Sequence, residues 1–402
     1  MEQHKINQGK REVSSLISGV QKQSGSKRRK VIYGIYDSAA QPFWVRIDDF
    51  LVNHSRVPLE EKAYFFHLLA VMIDAGIPLV QSLQILSNRT TSERFRRILD
   101  TIVFSVAQGK KFSESMARFP DVFGDMEVGV VRSGEAAGNL DRMLFRLSEQ
   151  LDKSHELQVK LITASVYPLV VLLTLIVVAA GMLVWVIPGL TGLLKEGGLA
   201  ESDFPPTTKA LLAISYVLQN YWWAMIAGAV ILYALFKIYK QSDNGRYKWD
   251  LFRLRVPVVG TLIRKVLVLR FVSMMGILFE AGLPVIQSLQ IIATSLNSEL
   301  YRLKTWEVIA KVQQGQKISE SLADSPFLFP ETVSQMIGVA ERSASVGLIS
   351  EKIALHYDRE IDNALKRLTS LFEPLMIILV GITVAVLALA ILTPIFQLSS
   401  LV

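Results

Sequence analysis

Apolar residues are arranged along this chain in two ways, as short segments with helical spacing and as three long, almost uncharged runs. Apolar positions recur every three or four residues in AYFFHLLAVMIDAG (63–76) and in FVSMMGILFEAG (271–282), which predicts amphipathic helices. The sequence around these segments lacks the strict alternation of apolar and polar residues that is typical of strands. We therefore expect an all-α protein.

The three long apolar runs predict membrane-spanning helices. Residues 167–190 carry no charged side chain, and residues 373–402 carry one, at the first position. Each of these runs is long enough to cross about 30 Å of hydrocarbon as a helix. The third run, 221–238, is shorter, but it begins with Tyr-Trp-Trp and ends beside Lys237 and Lys240, as expected for a span anchored at both interfaces. A buried soluble helix remains the alternative for this third run.

The sequence repeats itself at a fixed shift of 206 residues. DAGIPLVQSLQIL (74–86) returns as EAGLPVIQSLQII (280–292), and Pro168 matches Pro374 in the same register. Each repeat therefore ends in its own apolar run, and the repeated unit is a bundle of about six helices followed by one span. The expected parts are a basic, partly disordered arm (1–57), bundle 1 (58–166), span 1 (167–190), an external loop (191–220), span 2 (221–238), bundle 2 (239–372), span 3 (373–397) and an external C-terminus (398–402).

Glycine and proline mark helix ends at equivalent places in the two repeats. A glycine in the left-handed conformation commonly ends a helix, and a proline fits the start of the next one. Ser113 and Ser319 are expected to act as N-caps of the helices that follow the second turn. The residues expected to form structural turns are Gly76, Pro78, Gly109, Gly134, Gly138, Gly282, Pro284 and Gly315.

Charge predicts the direction of the spans. The loop 191–220 holds two lysines against three acidic residues, whereas the flanks before 167 and after 238 are rich in Lys and Arg. Since basic loops stay in the cytoplasm, both bundles should be cytoplasmic, and span 2 returns the chain so that they share one compartment. The basic clusters at 1–30 and 240–270 fit this membrane topology better than nucleic-acid binding. The first thirty residues have no apolar core of a signal peptide.

Candidate chemistry is sparse. The chain has no cysteine, no phosphate-binding glycine motif and only five scattered histidines, so we expect no enzyme activity and no cofactor. Glu135 and Asn139 lie close enough in sequence to be weak candidates for a Ca²⁺-type ligand pair, although capping of a helix end explains them better. Glu373 begins span 3, where it could pair with a partner helix or simply lie at the interface.

In combination these motifs resemble one family. The tandem AG-[IL]-P turns, the GEAAGNL turn (134–140), Tyr167-Pro168 and Glu373-Pro374 are similar to the type II secretion F and PilC-type inner-membrane platform proteins, over roughly residues 58–402. The second repeat departs from the family turn, because it reads AERSA at 340–344 without glycines. The basic arm is also unlike the short start of the family.

The resemblance implies a non-enzymatic, multi-pass scaffold of the bacterial inner membrane that couples a cytoplasmic ATPase to pilin or pseudopilin assembly and protein secretion. Its expected partners are a hexameric secretion or pilus ATPase, pilins or pseudopilins, other inner-membrane assembly proteins and a second copy in a homodimer, but no nucleic acid. Pilus assembly, type II secretion and DNA uptake machines share this part. The candidate contact residues are Glu135, Glu341, Glu373, Lys27, Arg28, Arg29 and Lys30.

Two other function classes stay open at this point. A membrane-anchored receptor or signalling scaffold would have the same architecture without ATPase or pilin partners. A transporter is the weaker alternative, because ion-coupled transport usually places ionisable residues in the spans, and these spans carry almost none.

Overall fold

The computed structural model describes residues 55–189 and 206–399, together with the isolated positions 52 and 192. These residues are helical almost throughout and contain no strand, which confirms the expected all-α class. The cluster Lys27-Arg28-Arg29-Lys30, most of the predicted arm 1–57, part of the loop 191–220 and residues 400–402 lie outside the described residues.

The first repeat folds as six helices around an aromatic core. Phe65, Phe66, Phe95 and Phe123 are almost fully buried and pack at centroid distances of 5.1 to 6.1 Å, in three edge-to-face pairs and one tilted pair. Each of these large rings removes a large apolar surface from water. The helices are α1 (Leu59–Asp74), α2 (Leu79–Arg89), α3 (Glu93–Ala107), α4 (Phe112–Met116), α5 (Asp125–Ala137) and α6 (Leu140–Gly181).

The second repeat has the same six helices in the same order. Tyr301 occupies the position equivalent to Phe95, and its buried hydroxyl donates a hydrogen bond to the Leu328 carbonyl at 2.6 Å. Burial away from water raises the pKa of this phenol. The helices are α10 (Val259–Glu280), α11 (Val285–Ser295), α12 (Glu299–Gln313), α13 (Ile318–Ala323), α14 (Glu331–Arg342) and α15 (Val346–Ser399). Three helices precede them, namely α7 (Pro206–Asn220), α8 (Trp222–Gln241) and α9 (Asp243–Arg255).

The last helix of each repeat runs from the bundle into the apolar run without a break. Helix α6 has 42 residues and α15 has 54, which correspond to about 60 and 80 Å at 1.5 Å per residue. Pro168 and Pro374 both lie inside these helices. Three helices of the described chain are long and apolar enough to cross a membrane: Leu140–Gly189, Trp222–Gln241 and Val346–Leu389.

The end of the first membrane helix differs from a regular α-helix. Residues Met182–Val186 form a π-helical segment, in which the wider turn frees backbone carbonyls from their usual partners. The Ser215 hydroxyl donates to the Leu183 carbonyl at 2.5 Å, and the Gln219 amide donates to the Val184 carbonyl at 2.7 Å. The segment expected as a loop at 191–220 therefore contains a helix, α7, that supplies the missing donors to the membrane helix.

Candidate functional site

The repeated turns are built as the glycines suggest, with one exception. Five glycines adopt positive φ, between 71° and 88°, and Pro78 and Pro284 are the N-cap residues of α2 and α11. Gly134 instead lies within α5, where an added Cβ would come within 3.0 Å of the Met143 side chain. Its role is the close approach of α5 and α6 rather than a turn. The five are Gly76, Gly109, Gly138, Gly282 and Gly315.

The third turn is made by different residues in the two repeats. Gly138 ends α5 with φ +71°, and its counterpart Ala344 follows α14 with φ +51°. The hydrogen bond from Asn139 N to the Gly134 carbonyl is matched by one from Ser345 N to the Ala340 carbonyl. The backbone turn is thus kept where the glycines are lost. Ala344 pays a steric cost for it, because its Cβ crowds the backbone at positive φ.

Glu135 and Glu341 cap equivalent short helices. The Glu135 carboxylate accepts hydrogen bonds from Phe112 N at 2.7 Å, Ser113 N at 3.2 Å and the Ser113 hydroxyl. Glu341 accepts from Ile318 N at 2.7 Å, Ser319 N at 3.1 Å and the Ser319 hydroxyl. A carboxylate at a helix N-terminus is stabilised by the exposed amides and by the helix dipole.

The expected N-caps Ser113 and Ser319 are wrong. The N-cap positions are Lys111 and Lys317, neither of which makes a side-chain cap, and each serine lies two residues further along, inside its helix. Their hydroxyls donate to the glutamates instead of accepting from the helix. The carboxylates of Glu135 and Glu341, which belong to later helices, cap α4 and α13 instead. Local sequence does not reveal a cap that comes from so far along the chain.

Glu135 and Asn139, the weak candidates for a Ca²⁺-type ligand pair, lie at the ends of different helices. Both Glu135 oxygens already accept hydrogen bonds from α4, and Asn139 is the N-cap residue of α6, with its buried Oδ1 atom lacking a hydrogen-bond partner. Across the described ranges, no group of three or more His, Cys, Asp or Glu side chains is placed to hold a metal ion.

The second copy of the repeated turn docks onto the first bundle. Helix α5 lies against it so closely that a Cβ on Gly129 would come within 2.9 Å of Ile291 Cδ1. The Ser133 hydroxyl donates to the Ala281 carbonyl, and the Thr294 hydroxyl donates to Asp125 at 2.8 Å. The first copy of the turn, by contrast, has its Asp-Ala-Gly residues (74–76) exposed. The two copies therefore differ in environment, and only the second joins the bundles.

Ion pairs extend this junction along the long helices. Arg146 of α6 donates to Glu280 of α10 at 2.8 Å, and Lys160 of α6 lies 3.3 Å from Asp358 and 3.1 Å from Asp362 of α15. The two aspartates raise the pKa of Lys160 despite the opposing effect of burial. Between these pairs, α6, α10 and α15 share a small apolar cluster of Leu157, Leu262 and Ile361.

A cavity of about 200 Å³ lies where α6, α10 and α15 meet. Its lining includes Arg146, Glu280 and Arg270, and Arg270 has no ion pair or hydrogen bond within the described part of the chain. Burial lowers the pKa of this guanidinium. A charge held without a partner at the junction of the bundles makes Arg270 a candidate functional residue that sequence reasoning missed.

Glu373 lies in the middle of α15, where its side chain is exposed. It belongs to the apolar stretch of the helix and faces away from the rest of the described chain, so it is available to a neighbouring helix.

A comparison of equivalent residues in the two repeats could have located the junction between the bundles. At equivalent positions Arg270 replaces Tyr64, Gly129 replaces Gln335 and Ser133 replaces Val339. In each pair the residue that joins or lines the junction differs in kind from its counterpart. At these three positions the change of chemistry between the repeats coincides with the junction of the bundles.

Comparison with known proteins gives one family model, described as "Type II secretion system (T2SS), protein F", which matches residues 65–188 and again residues 271–394. The two matches together cover more than half of the chain. They begin 206 positions apart, which is the shift at which the sequence repeats itself.

Individual relatives match most of the chain. "Type IV pilus assembly protein PilC" of Thermus thermophilus is 33% identical over 339 residues, which cover 84% of this chain and 82% of the relative. The protein of the same name from Myxococcus xanthus is 32% identical, over 83% of this chain and 79% of its own length. "Type II secretion system protein F" of Pseudomonas aeruginosa is 28% identical, over 83% of this chain and 82% of its own length.

Proposed function

The chain belongs to the type II secretion system protein F family, and on that premise we propose that it is the inner-membrane platform of a pilus or type II secretion assembly machine. In this role it couples a cytoplasmic hexameric ATPase to the polymerisation of pilins or pseudopilins and to protein secretion. Relatives named for pilus assembly and for type II secretion support the platform role in general.

The observation that carries the proposal is mechanical continuity. Helices α6 and α15 leave two docked bundles and become membrane helices without a break, and Lys160 and its two aspartates tie them together. A helix transmits a rotation or displacement along its axis because its hydrogen bonds hold each turn to the next. Motion imposed on the bundles therefore reaches the bilayer directly.

We place both bundles in the cytoplasm and the residues 191–220 outside, because the basic residues flank the other ends of the spans. The absence of cysteine from the sequence makes this directly measurable with a Glu201→Cys variant. A membrane-impermeant maleimide added to intact cells should label it, whereas the matched variant Glu114→Cys in bundle 1 should react only after the inner membrane is permeabilised. Labelling of Glu114→Cys in intact cells would contradict the orientation.

The expected partners follow from this placement. The ATPase contacts the cytoplasmic bundles near the repeated turns and the basic arm with Lys27, Arg28, Arg29 and Lys30. Pilin helices approach the membrane helices near Glu373, whose exposed carboxylate is suited to pairing with a basic or amino-terminal group. We further propose a homodimer, because a platform beneath a hexameric motor favours closed symmetry.

Deletion of the gene tests the function. Cells without it should lose surface pili or type II secretion, and expression of the intact chain from a plasmid should restore them. Unchanged piliation and secretion in the deletion strain, with the relevant ATPase and prepilin genes intact, would contradict the proposal and favour the receptor or signalling alternative. Solute flux that depends on the purified chain in vesicles would instead favour the transporter alternative.

A further inference from the structure

Helix α9 folds back against the end of the second membrane helix. An added Cβ on Gly245 would lie 1.9 Å from the Tyr239 carbonyl oxygen, so only glycine allows the chain to turn this tightly. The Trp249 ring packs edge to face on Phe236 at 4.8 Å, and Lys240 Nζ lies 5.9 Å from the same indole ring. Phe236 belongs to the apolar helix Trp222–Gln241, so Trp249 lies at the level where that helix leaves the membrane.

One face of α9 is fixed to the second bundle. Leu254 is 1% exposed within the bundle core. The buried Asp250 carboxylate accepts hydrogen bonds from the Ser298 hydroxyl and from Leu300 N at 3.1 Å, and it thereby caps the start of α12. These contacts determine which way the opposite face points, since they hold the helix against rotation about its axis.

The opposite face carries an exposed aromatic side chain between basic ones. Phe252 is 61% exposed, and its ring lies 5.8 Å from that of Trp249. At 100° per residue, Lys248 and Arg255 fall beside Phe252 on the same side of the helix, and both are exposed.

The exposed apolar surface continues beyond the end of α9. Val258 is 47% exposed and Val259 is 43% exposed. Val258 adopts φ 66° and ψ −60° in a γ-turn closed by a hydrogen bond from Val259 N to the Pro257 carbonyl at 2.8 Å. This conformation is strained for a β-branched residue, and it holds two apolar side chains outward.

We propose that α9 is a membrane-surface helix that binds anionic phospholipid headgroups of the leaflet nearer the bundles. Phe252 and Trp249 enter the boundary between headgroups and acyl chains, while Lys248 and Arg255 contact the phosphates. The bilayer is the occupant because α9 begins two residues after a membrane helix and its aromatic residues lie level with the end of that helix. The helix fixes the rotation of the second bundle relative to the membrane.

Single-cysteine labelling tests the position of α9 in the full chain. A Phe252→Cys variant carries a polarity-sensitive fluorophore and is reconstituted into vesicles of phosphatidylcholine and phosphatidylglycerol. We expect quenching by lipids with doxyl groups high on the acyl chain, and at least several-fold protection from aqueous iodide relative to a Val339→Cys control, whose site in α14 is 48% exposed. Equal iodide access at the two sites overturns the proposal, as does protection from iodide without quenching by lipid, which would indicate a protein cover.

Headgroup recognition is tested on the same labelled chain. The substitutions Lys248→Gln and Arg255→Gln, introduced together, should increase iodide access at position 252 several-fold, whereas Lys110→Gln with Lys111→Gln in bundle 1 should leave it unchanged. Replacing phosphatidylglycerol by phosphatidylcholine should likewise increase iodide access at position 252. Equal protection in both lipid compositions, or no effect of that pair, would exclude recognition of anionic headgroups.

Discussion

At the scale of single residues, the two repeats use different side chains at equivalent buried positions. In the first bundle Lys62 lies 2.7 Å from Glu127, and only 12% and 8% of the two side chains are exposed. The equivalent residues of the second bundle are Val268 and Val333, both fully buried. One backbone arrangement thus accommodates either a buried ion pair or two apolar side chains.

This pair predicts a marked difference between single and double substitutions. Lys62→Val alone should destabilise the protein by about 3 kcal/mol, because it leaves the Glu127 charge buried without its partner. Lys62→Val together with Glu127→Val should cost less, about 1.5 kcal/mol, since the second bundle shows that valines fit, and the remaining cost is the Gly124 N–H that loses the Glu127 carboxylate as its acceptor. Thermal unfolding of the full chain in detergent measures both effects. A double variant as unstable as the single one would contradict the interpretation of the pair.

The third turn predicts opposite effects of exchanging glycine and alanine. Gly138→Ala should lower stability by about 1 kcal/mol, because alanine is strained at φ +71°. Ala344→Gly should raise stability by about 0.5 kcal/mol, since the relief of strain exceeds the added entropy of the unfolded chain. Thermal unfolding of the full chain in detergent measures both stability changes. A loss of stability on Ala344→Gly would show that the alanine turn is not strained.

At the scale of helices, the sequence predicts where most elements begin and end. Helical periodicity and the glycine and proline signals predict about six helices per repeat, because these signals depend on the local backbone alone. The carboxylate caps of α4 and α13 escape such reasoning, because Glu135 and Glu341 come from helices about twenty residues further along. Local sequence does not reveal helix α7 or the π-helical segment Met182–Val186 either. The two are linked through space, because side chains of α7 donate hydrogen bonds to backbone carbonyls of the π-helical segment.

Docking of helix α5 onto the second bundle predicts that size matters at position 129. Gly129→Leu should destabilise the full chain by about 2 kcal/mol, because the new side chain must displace Ile291 and Leu283 from the junction. The equivalent substitution in the second repeat, Gln335→Leu, is the matched control, since that site is exposed and should tolerate leucine. Thermal unfolding with and without each substitution compares them. Equal effects at both positions would show that the junction does not hold the bundles together.

At the scale of the whole molecule, the repeat unit of bundle plus span could be predicted from the register of Pro168 and Pro374, because a duplicated sequence keeps its boundaries. The association of the two bundles could not be predicted from the repeat alone, since it depends on residues that differ between the copies, such as Gly129 and Ser133. The resulting molecule joins two helical bundles and two long membrane helices into one unit. Such a unit suits a platform that passes force from a motor to the membrane.

The central claim is that a cytoplasmic secretion ATPase binds this unit and exerts force on it. The most direct measurement is co-purification of the machine's ATPase with the intact, tagged chain from detergent-solubilised membranes, with an unrelated tagged inner-membrane protein as the control. We predict that the ATPase is retained by the chain and absent from the control. Absence of the ATPase from a preparation whose chain still shows a cooperative thermal transition would contradict the account.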